Sequence, residues 1–131
     1  MENHLRADLI NWLRDDPALI AINTIEEESP LSASPPWLGI SASASTDWGT
    51  KDRRGREIRI ALELETRVDT PEADAELVDA LEARILSLPP FASAYEVASI
   101  RFLRARSERR DRNRRGALLE FRFRLFHPIT E

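Results

Sequence analysis

The 131-residue sequence has no cysteine, only two histidines, four glycines and a single lysine, Lys51. Without cysteine there is no disulfide, no thiol nucleophile and no zinc-thiolate cluster, and His4 and His127 lie at opposite ends of the chain, without a converging ligand set. No apolar run approaches the ~20 residues needed to cross a bilayer. Met1 to His4 has no basic region leading into an apolar stretch, so the expectation is a cytoplasmic chain with no membrane partner. Gly49 and Gly55 are separated by polar and charged residues, unlike a phosphate-binding fingerprint, and read as turn residues. The adjacent carboxylates Asp15-Asp16 and Glu26-Glu27-Glu28 sit in hydrophilic segments, where solvated or capping roles are the rule. The reading is therefore of a non-enzyme, with no catalytic residue, no cofactor and no metal.

What is present is the balance of a globular protein: 42% hydrophobic and 32% charged residues, in a length that suits one domain over residues 1–131. The net charge of -4 conceals a division. Residues 1–98 carry 9 basic against 19 acidic residues, while residues 99–131 carry 10 arginines against 4 acids. Such a division suits a nucleic-acid arm, or a subunit whose two surfaces meet opposite charges on neighbouring copies.

Leu5, Leu9, Trp12 and Leu13 recur at helical spacing and predict a first amphipathic helix over residues 2–14. Asp16-Pro17 interrupts it, and Pro17 can open a short turn through Ile22. Glu26 to Pro36 reads as a solvated loop, its three prolines denying donors to any sheet. Trp37 to Ser45 is a modest strand signal; Arg56 to Arg67 is a strong one, with Ile58, Ile60, Leu62 and Leu64 alternating against charged residues. The polar block Thr46 to Glu57 makes the pair a hairpin. Thr70-Pro71 has the form of an N-cap followed by a first-turn proline, opening a second helix whose stripe is Ala73, Leu77, Leu81, Ile85 and Leu88, ended by Pro89-Pro90. Val97 to Arg106 and Gly116 to His127 complete a second hairpin with a polar tip at Glu108 to Arg115. The fold class expected is α+β, an antiparallel sheet of about four strands with two main helices on one face, in the order α-β-β-α-β-β.

Two clusters are candidates for contact. The first hairpin loop carries Trp48, Lys51, Arg53, Arg54 and Arg56; an exposed tryptophan is a preferred interface anchor, whereas a buried one merely covers the core. The second hairpin carries Arg104, Arg106, Arg109, Arg110, Arg112, Arg114 and Arg115 against Glu108 and Asp111. These arginines could face an interface or DNA, but the segment has no interleaved aromatics for base stacking, so a nucleic-acid-binding module on residues 104–115 is the second reading.

The chain resembles the tail terminator, or tail completion, proteins of long-tailed phages and phage-like gene transfer agents. The likeness is carried by Leu5-Arg6-Ala7-Asp8-Leu9, Asp16-Pro17-Ala18-Leu19, Asp47-Trp48-Gly49-Thr50-Lys51, Gly55-Arg56-Glu57 and Gly116 to Arg124. The acidic run Glu26-Glu27-Glu28 departs from the family. The resemblance implies an α+β subunit that forms a homo-oligomeric ring, typically hexameric, at the head-proximal end of the tail tube. There it would stop tube growth and join the tail to the head-tail connector, with DNA passing through and no catalytic residues. Its expected places are the bacterial cytoplasm during assembly and then the tail of a phage or gene transfer agent particle. A closed ring needs one patch to meet a different patch on the next copy, which the acidic body and basic C-terminal hairpin provide.

Overall fold

The alternating residues Ile58, Ile60, Leu62 and Leu64 form the middle of the central strand, facing Phe123, Phe121, Leu119 and Ala117 across the ladder. A period of two puts all eight on one face, and all eight are buried. A computed structural model describes residues 1–67 and 71–129. Helix α1 (Glu2–Arg14) leads through a 3-10 turn (Pro17–Leu19) to β1 (Thr24–Glu26), β2 (Trp37–Gly49) and β3 (Arg54–Arg67). Helix α2 (Pro71–Leu86) then precedes β4 (Glu96–Arg110) and β5 (Arg114–Phe126). The sheet order is β1-β2-β3-β5-β4, antiparallel throughout except that β1 runs parallel to β2.

The α+β class and both helices match the sequence reading; the strand count and order do not. The sheet is mixed and five-stranded, because Thr24, Ile25 and Glu26 pair with Trp37, Leu38 and Gly39. Three residues are too few for a period of two to register, and the Glu26–Glu28 run masks the buried Ile25. The loop from β1 to β2 then passes over the face opposite the core so closely that a Cβ on Gly39 would lie 2.8 Å from the Glu28 carbonyl, and Ser29 Oγ donates to Glu63 at 3.2 Å.

Leu5, Leu9, Ile10 and Leu13 of α1 and Leu81 and Ile85 of α2 share one core with the sheet's apolar face. Full burial of a side chain of this size contributes about 1.5–3 kcal/mol. The two helices are clamped reciprocally: Trp12 Nε1 donates to the Arg84 carbonyl at 2.8 Å, Arg84 Nε donates to the Trp12 carbonyl at 2.8 Å, and the guanidinium lies 3.3 Å from the centre of the indole ring. Tyr95, before β4, donates its hydroxyl to Asp8 of α1 at 2.6 Å. The expected N-cap Thr70 lies outside the described residues, and α2 ends at Leu86, with Leu88 buried just beyond it.

Both hairpins are tighter than the sequence suggests. Most of the block Thr46 to Glu57 is zipped into strand, with Trp48 opposite Gly55 and Gly49 opposite Arg54. The connection shrinks to Thr50–Arg53, closed by a 2.9 Å bond from the Thr50 amide to the Arg53 carbonyl. At the other hairpin the expected tip, Glu108 to Arg115, contracts to a turn at residues 111–113. Arg112 and Asn113 take φ of 61° and 57°, the left-handed pair of a type I′ turn, whose twist matches the strands it joins.

Candidate assembly surface

Residues of opposite parity to the core form a second face that, among the described residues, no helix covers. On β3 they are Gly55, Glu57, Arg59, Ala61, Glu63 and Glu65, and β5 brings Phe126, Arg124, Arg122, Glu120 and Leu118 beside them. Register places Arg59, Arg122 and Arg101 in one row across β3, β5 and β4. Like charges directly opposite one another destabilise a sheet, so this row opposes folding unless something neutralises it. Glu57 does so in part, with Arg124 Nε at 3.1 Å, Arg59 Nε at 3.7 Å and Arg122 Nε at 3.9 Å. One carboxylate thus serves three guanidiniums. Arg122 Nε is buried without a hydrogen-bond partner, and Arg101 has no ion-pair partner among the described residues.

Trp48 ends this face. Gly55, its partner, has no side chain, so the indole reaches across to Phe126 with ring centroids 5.1 Å apart. A side chain at Gly55 would run into the Leu125 carbonyl and the Trp48 ring. Arg124 stacks 5.5 Å from the indole and Arg53 lies 4.3 Å over the Phe126 ring. Arg53 is further held by Glu96 and by the His127 carbonyl at 3.0 Å. Of the first candidate cluster, then, Trp48 and Arg53 are brought together in a half-buried aromatic-cation corner. Lys51, Arg54 and Arg56 stay exposed, but Arg54 and Arg56 have the parity of the covered face, where Arg56 reaches Ser45 Oγ at 3.4 Å. The exposed Phe91 and Ile129 lie near the corner, Phe91 bridging to Glu96 and Ile129 beside Arg53 and Arg54.

The second cluster is divided. Arg110 meets Glu63 at 2.6 Å and both Glu65 and Glu108 at 3.3 Å, while Arg114 meets Glu65 at 3.3 Å. Glu65, buried, also accepts from Trp37 Nε1 at 2.9 Å. Partial burial disfavours the charge on Arg110, but hydrogen bonds to Glu63, Glu65 and Glu108 outweigh it and hold its pKa above the ordinary guanidinium value. Arg115 pairs with Asp74 at 3.3 Å, Arg104 with Glu120, and Arg106 with Glu108 at 4.0 Å. Among the described residues Arg109 and Arg112 have no carboxylate partner.

The sequence reading did not single out Glu57, Arg59, Arg101, Arg122, Arg124 or Phe126. Their signal was available, since each occupies the polar parity of an otherwise clean alternation, but the row they form depends on register. The arrangement presents charge and aromatic surface of the kind a macromolecule contacts. The family model of tail completion protein gp17 matches residues 7–126, nearly the whole chain. The chain belongs to that family. Its role is accordingly structural, in the assembly of a phage-type tail. Among solved structures, a chain in the virion of a native gene transfer agent particle superposes with a TM-score of 0.76 over 93% of this chain and 94% of that one, at 19% identity, a likeness of fold. No curated protein matches the sequence.

Proposed function

We propose that this chain closes into a homo-oligomeric ring, of about six copies by the family resemblance, on the head-proximal end of a tail tube. There it stops polymerisation of the tube protein and presents a docking face to the head-tail connector. The observation that carries this reading is the open sheet face: a row of three arginines, of which two share one carboxylate with Arg124 and the third has no partner among the described residues, ending in an aromatic-cation corner, is a construction that folding alone disfavours. In this reading Trp48, Lys51, Arg53, Arg54 and Arg56 contact a neighbouring copy or the tube, and the role is structural rather than catalytic. The subunits gather in the bacterial cytoplasm and end in the tail of a phage or gene transfer agent particle.

The nucleic-acid reading of residues 104–115 is less well supported by the geometry. Five of its seven arginines are engaged by carboxylates of the same chain, which leaves Arg109 and Arg112 to neutralise phosphates. Passing DNA needs no specific site, and a weak, salt-sensitive contact suffices. The test of the leading reading is light scattering coupled to size exclusion across a concentration series, with and without tubes of the cognate tail protein. A discrete ring that caps tubes supports it; a strict monomer that leaves tube length unlimited overturns it. Salt-dependent DNA binding lost with Arg109→Ala and Arg112→Ala would instead favour the second reading.

A further inference from the structure

We infer that neighbouring copies join through their sheet edges, the free edge of β2 in one subunit accepting β4 of the next in antiparallel pairing. This deepens the ring reading above and rests on it. β1 covers β2 only at Trp37–Gly39, so from Ser41 to Gly49 the backbone has no strand on its outer side among the described residues. At the other end of the sheet β4 is the edge for its whole length, apart from one bridge at Glu96. The free stretch of β2, Ser41 to Gly49, is shorter than the 15 residues of β4, so β4 is long enough to pair along all of it.

Natural proteins protect long edges with proline, inward-pointing charge or cover. Ser41 to Thr46 has neither proline nor charge, and its small side chains let another backbone approach. An unprotected edge of that kind is a template for strand addition. The β1–β2 segment, Thr24 to Gly49, contains four carboxylates and no cation, with Glu28 and Asp47 unpaired among the described residues. β4 contains five arginines against Glu96 and Glu108, and Arg101 and Arg109 are unpaired there. The carboxylates that flank the β2 edge, Glu26 to Glu28 at one end and Asp47 at the other, are complementary to the arginines of β4, and a second copy is the partner that supplies both.

Strand direction agrees. Three antiparallel steps separate β2 from β4, so the two edges run in opposite senses. Copies related by rotation about an axis along the strands would therefore bring β2 and β4 together antiparallel. One edge always meets the other, a heterologous contact that closes only as a ring. The aromatic-cation corner and the Arg112 turn would then lie on opposite faces of that ring.

The test uses two charge-reversed variants of the full chain. Glu27→Arg with Glu28→Arg makes the β2 side basic, and Arg101→Glu with Arg106→Glu makes β4 acidic. All four side chains are solvent-exposed, and circular dichroism and thermal unfolding check that each variant is folded. Each variant alone should need at least about tenfold more protein than the parent chain to assemble, because like charges then face one another. An equimolar mixture should assemble at the parent concentration, since alternating copies restore every contact. In the parent ring, amide exchange at residues 41–48 and 100–109 should slow relative to the monomer. Normal assembly of either variant alone, no rescue on mixing, or unprotected edge amides in an intact ring would overturn edge pairing while leaving the ring reading in place. A parent chain that stays monomeric at every concentration and on tubes would overturn both.

Discussion

The two faces of one sheet differ in what they contribute. The helix-covered face is built from Ile58, Ile60, Leu62, Leu64, Leu119, Phe121, Phe123 and Leu125, which are fully buried or nearly so and join one core with α1 and α2. The open face, one residue out of phase on the same strands, carries Arg59, Arg101, Arg122 and Arg124, with Glu57 shared among three of them. Folding is already supplied by the first face. The second face holds charge in an arrangement that costs stability, which is where a protein built for assembly would place its contacts.

The sharpest way to break this contrast is to truncate matched positions. Phe123→Ala should lower the unfolding free energy by about 3–5 kcal/mol, because a buried ring leaves a cavity that the sheet cannot collapse to fill. Arg101→Ala, on the other face, should stay within about 0.5 kcal/mol by the same denaturant titration. Comparable losses would mean the open face is part of the fold.

Glu65 tests a place where the open face is itself buried. Glu65→Ala removes the acceptor of Trp37 Nε1 and a partner of both Arg110 and Arg114, and should cost about 1–3 kcal/mol. Glu65→Gln keeps the oxygen facing the indole and should cost less. Trp48→Ala sharpens the contrast further: loss of its contact with Phe126 should cost about 0.5–1.5 kcal/mol in unfolding, with a larger loss in assembly measured by light scattering. Equal loss in both would assign Trp48 to the core.

The smallest effect concerns pH. Burial, then the hydrogen bond and the charge of Asp8, push the Tyr95 hydroxyl well above the ordinary tyrosine value near 10. A raised folded-state pKa means the fold favours the neutral phenol. Its contribution is fully present below the unfolded value and declines as pH rises beyond about 10. Denaturant midpoints should therefore fall between about pH 10 and 11 more steeply in the parent chain than in Tyr95→Phe. Parallel curves would show that the Tyr95 proton is not linked to folding.

Much of the covered face was legible. The period-2 runs of β3 and β5 and the 3.6-residue stripe of α1 are local signals strong enough to place the core. β1 escaped because three residues give no period, and the extension of β2 through Trp48 escaped because Ser-Ala-Ser-Ala-Ser-Thr lacks bulky alternation. The candidate surface was half legible. Its tryptophan and arginines could be named from composition and position, but their partners could not. Glu63 and Glu65 lie 45 or more positions before Arg110 in the chain, and only the β3–β5–β4 register brings them together. Local sequence carries a strand's parity; which guanidinium meets which carboxylate depends on strand order.

The central claim, a ring that ends tube growth, is tested most directly by electron microscopy of tail tubes polymerised with increasing amounts of the chain. The account predicts tubes whose lengths stop increasing once the chain is added, each bearing a discrete ring at one end, and an effect that Trp48→Ala weakens. Tubes of unrestricted length with the folded chain remaining free in solution would contradict it.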